Sequence, residues 1–315
     1  MVGVTGSAGF LGSSLIKALS LRAVEPIRAL HSNVRCRNRQ PDCVEVMEGD
    51  LRNSSDCDRF AAGLSAIYHL AHRNVPLNSD ENQAEDAVLN ILPTLNLIGA
   101  IQRSRTRPHL VYFSSGGAVY GRSKAHTPFR ESDPCAPMCS YGIQKLTAEH
   151  YLRLAAATGS LTAIILRIGN AYGGLLPESR KQGLIGIAVK SVLEGRPVRI
   201  FGNMNNVRDY IHLNDICTMA ELARSPQSAF DIFNVGSGVG HSVAEVVQTI
   251  EGVFKSPIEI SYDASEKAQL TDWTVLDCTK AKQTLGWMPT VSLTSGIEAM
   301  ISAWTSETHR SSAIA

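Results

Sequence analysis

The sequence predicts an α/β protein, a doubly wound parallel sheet followed by a smaller C-terminal α/β domain. Three observations carry this expectation. Short β-type runs alternate with longer segments of helical period from residue 2 to about residue 170, a glycine-rich turn joins the first strand to the first helix, and beyond Asn170 the texture changes to glycine-rich loops and shorter strands. Residues 1–170 are therefore expected to form the first domain and residues 171–315 mainly the second, with the chain returning to the first within about 208–240.

The elements are read in order from the period of the apolar residues. Val2–Thr5 opens the series as a strand, and Leu11, Leu15, Ala18 and Leu19 then share one face of a helix. Further strands are expected at Pro26–Leu30, Val44–Glu48, Ala66–Leu70, His109–Ser115 and Leu161–Arg167. Between them Gln83–Ser104 repeats the helical spacing through Ala87, Ile91, Leu95 and Ile98. Another helix starts near Tyr141 and runs through Leu146, His150, Leu154 and Ala157 to Gly159, a residue suited to a C-terminal stop. In the second half, strands are expected at Val198–Phe201, Ile232–Val235 and Ile258–Tyr262, and helices at Gly183–Leu193, Ser242–Val253 and Leu293–Trp304. The small, polar residues after Trp304 are expected to fray.

A chain of 315 residues is long enough to bury a large core. The 30 Lys and Arg nearly balance the 29 Asp and Glu, leaving a formal charge of +1, so no overall basic field points to nucleic acid. The apolar stretches Leu161–Ile168 and Ala66–Ala71 fall far below the roughly 20 residues of a membrane span. The N-terminal residues lack a basic region followed by a cleavage site, so no membrane association and a cytoplasmic location are expected. Seven scattered cysteines, odd in number and without a C-x-x-C pair, read as reduced thiols, and no metal site is expected.

Gly6-Ser7-Ala8-Gly9-Phe10-Leu11-Gly12 lies where the first strand passes into the first helix. Glycine lets the backbone turn sharply and approach a pyrophosphate, whose charge is met by free N–H groups at the helix N-terminus. Placed at the head of a βαβ series, Gly6, Gly9 and Gly12 read as a dinucleotide cradle. The usual fingerprint adds a carboxylate about 20 residues further on, at the end of the second strand, to accept from the ribose hydroxyls. Here that strand ends Leu30-His31-Ser32-Asn33, and Arg35, Arg37 and Arg39 follow. Cationic donors at this place suit the 2′-phosphate of NADP, while a solvated basic loop fits the same residues, so the choice between NAD and NADP stays open.

Tyr141 and Lys145 stand four apart at a helix start, which puts phenol and ammonium on one face. A cation beside a tyrosine is expected to lower its pKa and make the phenolate a general base.

Together these residues resemble the extended short-chain dehydrogenase/reductases, and among them the NAD-dependent epimerase/dehydratase branch typified by UDP-glucose 4-epimerase. The resemblance runs over nearly the whole chain. It rests on Thr5 to Gly12, Glu48-Gly49-Asp50-Leu51, His69-Leu70-Ala71, Phe113-Ser114-Ser115-Gly116-Gly117-Ala118-Val119-Tyr120-Gly121, Ser140-Tyr141-Gly142 with Lys145, Leu166-Arg167 with Asn170, Val207 to His212, Phe233 to Gly238 and Leu285-Gly286-Trp287. It implies a Rossmann domain holding NAD or NADP and a smaller domain closing over a nucleotide sugar. By the same resemblance Phe10 and Leu11 cover the pyrophosphate, Asp50 and Leu51 hold the adenine, Leu70 and Ala71 line the cofactor channel, and Asn90 and Ser114 help to fix it. Lys145 would bond the nicotinamide ribose and Tyr141 take the sugar hydroxyl proton. Asn170 and Arg208 would meet the diphosphate, with Gln182 and Gly183 beginning the substrate-binding segment. The family also implies a homodimer built from the Gln83–Ser104 and Tyr141–Thr158 helices.

Three departures from the family pattern matter. Counting back from Tyr120, the hydroxyl that completes the catalytic set falls on Gly116, and Ser115 can stand in only if the turn re-aims it, since a one-residue shift flips a strand side chain. His31 occupies the customary acidic position. Counting back from Asp277, Lys267 replaces an arginine at the second diphosphate contact and Thr274 falls where pocket size is set, with a small side chain that admits an N-acetyl group.

Dehydratases of this branch carry a Thr-Asp-Glu run where this chain has Gly116-Gly117-Ala118. That leaves hydride transfer without elimination, read first as a nucleotide-sugar 4-epimerase acting on a UDP-hexose or UDP-N-acetylhexosamine. An NADPH-dependent nucleotide 4-ketosugar reductase is the alternative, and a non-catalytic NAD(P)-sensing module is a reading of another class. His69 and His72 are read as core and loop histidines, and Asp209, His212 and Asp215 as a cluster that orients Arg208.

Overall fold

A computed structural model describes residues 1–22, 25–32, 41, 43–73, 82–123, 125–176, 182–263 and 271–312. In the first half, β1 (Val2–Thr5), α1 (Phe10–Arg22), β2 (Ile27–His31), β3 (Val44–Glu48), α2 (Ser54–Ala61), β4 (Ala66–His69), α3 (Gln83–Arg103), β5 (His109–Ser115), the single turn α4 (Gly116–Val119), α5 (Ser140–Ala157) and β6 (Ala163–Ile168) follow in order. The second half contains β7 (Asn170–Tyr172), α6 (Leu184–Leu193), β8 (Val198–Phe201), β9 (Val207–His212), α7 (Leu213–Ala223), β10 (Phe230–Val235), β11 (Gly240–Ser242), α8 (Val243–Phe254), β12 (Ile260–Asp263), β13 (Trp273–Thr274), α9 (Thr279–Leu285) and α10 (Leu293–Ser312).

Seven strands form one parallel sheet in the order β10-β6-β5-β4-β1-β2-β3, the α/β Rossmann arrangement. Its central strands are buried on both faces, which is why Ala163–Leu166 and Leu110–Phe113 read as unbroken apolar runs rather than alternating ones. On one face Leu15 and Ile16 of α1 and Ile216, Met219 and Ala220 of α7 pack against Val4, Phe113 and Leu166. On the other, Phe60 of α2, Leu97 and Ile101 of α3 and Leu152 of α5 cover Ile67, Leu110, Tyr112 and Ile165. A separate core of Ile185, Val189, Val246, Ile250 and Ile297 holds α6, α8 and α10 against β8 and β9.

Several elements were invisible to apolar spacing and are fixed by local hydrogen bonds. Asn53 caps α2 by accepting from Ser55 N, and His212 Nδ1 caps α7 by accepting from Asn214 N. Strand β9 stands at the centre of a small second sheet, in register with β11, β13 and β7. Strand β2 starts at Ile27 rather than Pro26, which has no N–H and contributes its carbonyl to Val2 N at 2.9 Å. Contrary to expectation, α10 continues past Trp304 to Ser312. At 21 residues α3 is long and apolar enough to cross a membrane by length and composition, yet it carries buried Asp86, Asn90 and Thr94 and packs on α2 and α5, as a core helix does.

Candidate active site

The sheet's strand order reverses between β1 and β4, and the open crevice at the C-terminal strand ends there is where α/β proteins bind ligands. Gly6 turns the chain with φ +66°, and Gly9 N donates to Gly6 O at 3.0 Å. A Cβ on Gly12 would lie 2.2 Å from Gly6 O, and one on Gly6 would lie 2.7 Å from Ala71 N. Only glycine fits at either position, so the turn lies flat against the Leu70-Ala71 backbone.

Thr5 locks that wall in place. Its Oγ1 accepts from Leu70 N and Ala71 N, both at 3.2 Å, and lies 2.7 Å from His69 Nδ1. His69 Nε2 meets Thr94 Oγ1 at 3.1 Å, and Thr94 donates onward to Asn90 O. Since each hydroxyl has one proton, the chain assigns the proton of His69 to Nε2. Burial holds this imidazole neutral, with its pKa pulled down to about 3.

At the far end of the crevice Leu51 is buried, and Asp50 takes both Nε and Nη2 of Arg52, which holds its carboxyl below the usual range. His31 is buried, its carbonyl accepts from Gly49 N at 3.0 Å, and burial lowers its pKa, so it is a neutral group where an acid is customary. Arg35, Arg37 and Arg39 lie outside the described residues.

The chemistry-bearing groups converge at the end of β5. Ser115 is the last residue of that strand, and its hydroxyl acts on the Tyr141 phenol at the first turn of α5. Lys145 Nζ donates to Phe113 O at 2.8 Å and lies 5.7 Å from the centre of the Tyr141 ring. Burial pushes the Tyr141 phenol up to about 12 against the opposing Ser115 hydrogen bond, and pulls Lys145 down to about 7 against the favourable charge of Glu149. The expected lowering of Tyr141 by its neighbour is thus corrected: desolvation is the largest influence on the phenol and raises it.

The Gly116 question resolves through space. A Cβ on Gly116 would strike Leu276 Cδ1 at 2.6 Å and approach Arg167 O at 3.1 Å, so a side chain there would be driven into the core beside buried Leu276.

Two expected cofactor contacts are corrected. Asn90 accepts from Arg73 N at 2.7 Å and donates to Gln144 Oε1 and Asp86 O, both at 2.9 Å, so its amide is occupied within the protein. Ser114 donates to Glu149, which also receives the Arg167 guanidinium. Both residues brace the crevice from behind.

Across the crevice, Arg208 on β9 pairs in register with Thr274 on β13, and Asn170 on β7 with Tyr210. The Arg208 guanidinium donates to the carbonyls of Val207 and Thr271, at 2.8 and 2.5 Å. Thr274 Oγ1 and Gln182 Oε1 are buried without a hydrogen-bond partner among the described residues, as expected of groups awaiting a polar ligand. Lys267 lies outside the described residues. Asp209 does not orient Arg208: its carboxylate takes Ser237 N, Ser237 Oγ, Gly238 N and Leu276 N. Asp215 likewise ties down Thr290 and Val291. Sequence reading passed over Glu149, although its place one helical turn beyond Lys145 marked the shared face.

A glycine cradle whose closest positions leave no room for a Cβ, open at a strand-order reversal and facing a Ser-Tyr-Lys set, fits a dinucleotide. Fold and site together define a nicotinamide-dinucleotide enzyme of the short-chain dehydrogenase/reductase type. The chain belongs to the NAD dependent epimerase/dehydratase family, whose model matches residues 2–236. Among its relatives, the UDP-glucose 4-epimerase of Mycolicibacterium smegmatis is 31% identical over 93% of this chain and 95% of its own. The dTDP-4-dehydro-6-deoxyglucose reductase of Escherichia coli is 29% identical over 95% of both chains. The crystal structure of UDP-glucose 4-epimerase from Thermotoga maritima with UDP-glucose superposes with a TM-score of 0.88 at 26% identity, covering 98% of this chain and 99% of that one.

Proposed function

We propose that the protein interconverts the C4 epimers of a nucleotide sugar, a UDP-hexose or UDP-N-acetylhexosamine. The observation that carries this is the convergence of Tyr141 and the buried Lys145 at the end of β5, with Lys145 Nζ 5.7 Å from the centre of the Tyr141 ring and Ser115 closing the strand beside them. The Tyr141 phenolate, stabilised by the Ser115 hydroxyl and by the positive charge of Lys145, takes the proton of the C4 hydroxyl on Oη and becomes the phenol. A nicotinamide held in this crevice would supply a hydride acceptor for C4 and the hydride that re-reduces the ketone from the opposite face. Gly6, Gly9 and Gly12 at the turn, with Phe10 and Leu11 at the start of α1, hold the pyrophosphate. Leu51, Asp50 and His31 flank the adenosine end, and Leu70 and Ala71 wall the channel. Arg208, Asn170, Thr274 and Gln182 receive the diphosphate and sugar. Gly116-Gly117-Ala118 offers no acid for dehydration.

Residues 1–170 with the returning segment form the cofactor domain in this reading. Exposed Val88 and Leu92 on α3 and Ile143, Tyr151 and Leu154 on α5 form the face of a homodimer. The compartment is the cytoplasm, where nicotinamide nucleotides and nucleotide sugars meet.

The test is to incubate the protein and Tyr141→Phe with UDP-glucose and UDP-N-acetylglucosamine and separate the products. Formation of the 4-epimer by the first, and loss of nearly all of it by the second, is the expected result; a fully active variant would remove the proposed base. A second reading, reduction of a nucleotide 4-ketosugar by NADPH, is favoured by the missing carboxylate at His31 and by the Escherichia coli relative. NADPH oxidation that requires a 4-ketosugar, without epimer formation, would select it.

A further inference from the structure

His72 stands where the cofactor wall meets the catalytic tyrosine, and no role has yet fallen to it. Its backbone is pinned on both sides: Ala71 N donates to Thr5 Oγ1 at 3.2 Å and Arg73 N to Asn90 Oδ1 at 2.7 Å. The ring therefore has little freedom, and it meets the Tyr141 ring edge to face, with centroids 4.8 Å apart and planes at 86°. Its Nε2 is buried and has no hydrogen-bond partner among the described residues. A buried ring nitrogen left unpaired costs about 1–3 kcal/mol unless a ligand satisfies it.

We infer that His72 is a ligand-contacting residue of this site, its Nε2 hydrogen-bonding an uncharged hydroxyl or amide on the nicotinamide half of the dinucleotide. The inference rests on the reading of the crevice as a nicotinamide nucleotide site. Position selects the dinucleotide over the sugar, because His72 continues the Leu70-Ala71 wall against which the Gly6 turn is packed. Charge selects an uncharged partner. Burial, reinforced by the Lys145 charge, holds the His72 imidazole neutral, so it offers no cation to a phosphate.

The test measures binding rather than turnover. Wild-type protein, His72→Phe and His72→Gln are titrated with NAD, NADP, ADP-ribose and ADP, with thermal melting as the folding control. Phenylalanine keeps the ring contact with Tyr141 and deletes the nitrogen; glutamine restores a polar group. The expected result is a roughly tenfold weaker affinity of His72→Phe for the better of NAD and NADP, the equivalent of one hydrogen bond. The same result includes unchanged ADP affinity and recovery in His72→Gln. Equal weakening with ADP-ribose assigns the contact to the ribose hydroxyls, and weakening confined to the full dinucleotide assigns it to the carboxamide. Wild-type affinity in His72→Phe, or an equal loss with ADP, overturns the inference. Failure of the wild-type protein to bind either dinucleotide overturns the cofactor reading itself, and the His72 assignment with it.

Discussion

Glu149 and Arg167 form a two-pronged ion pair sealed beneath the turn that follows β5, with Arg167 Nη2 2.7 Å from Oε2 and Nε 3.2 Å from both carboxylate oxygens. The side chains are 3% and 4% exposed, so neither charge has access to water as a substitute partner. Glu149→Gln leaves the guanidinium buried and uncompensated, and is expected to cost about 3–5 kcal/mol. Urea denaturation of the variant reads this; a loss below about 1 kcal/mol would show that water reaches the pair.

Glu149 is also the acid that favours the charged form of Lys145. If the ammonium assists Tyr141, activity declines as pH rises through about 7, and the decline moves to lower pH in Glu149→Gln. A pH–kcat profile with the same limb in both proteins would separate Glu149 from the reaction.

Burial of neutral histidines makes the fold acid-sensitive. The pKa of His69 falls to about 3 and that of His109 to about 4, both chiefly through desolvation, from an ordinary value near 6.5. Between these limits the unfolded chain binds more protons than the folded one, so stability is full above about 6.5 and drains away as pH falls toward 4. Melting curves across that range should show Tm dropping with acid, and His109→Gln should flatten the slope. An acid slope unchanged in that variant would assign the loss to other groups.

Ser115 and Gly116 are expected to answer oppositely to substitution. Ser115→Ala removes the hydrogen bond to Tyr141 and should lower kcat about 10- to 100-fold with little change in Tm. Gly116→Ser restores a hydroxyl at the family's customary position, yet its Cβ would collide with Leu276, so the double variant should remain inactive and lose about 1–3 kcal/mol of stability. Rescue of Ser115→Ala by Gly116→Ser would mean that the turn rearranges.

The exposed apolar residues of α3 and α5 should be covered in solution. Light scattering is expected to give a dimer, and Leu154→Glu, placed at a side chain 60% exposed in the single chain, should shift it to monomer without altering Tm of the monomeric fold. A monomeric wild-type protein would sink this interface.

The parallel sheet, the cradle and the Tyr-Lys pair were legible in the sequence because each depends on local spacing: apolar period, three glycines at a strand end, two residues one helical turn apart. Val44–Glu48 and His109–Ser115 were bounded correctly for that reason. Helices α2 and α7 were missed because single side-chain caps, Asn53 and His212, define their starts. What only tertiary structure decided was where side chains point and what they meet. The strand-end count favoured Gly116 for a hydroxyl, but Leu276, 160 positions further along, closes that direction. Asn90 and Ser114 matched a motif, but Gln144 and Glu149 occupy their polar groups. Tyr141 gained a higher pKa rather than a lower one, because burial, which no local pattern encodes, is the largest influence on the phenol.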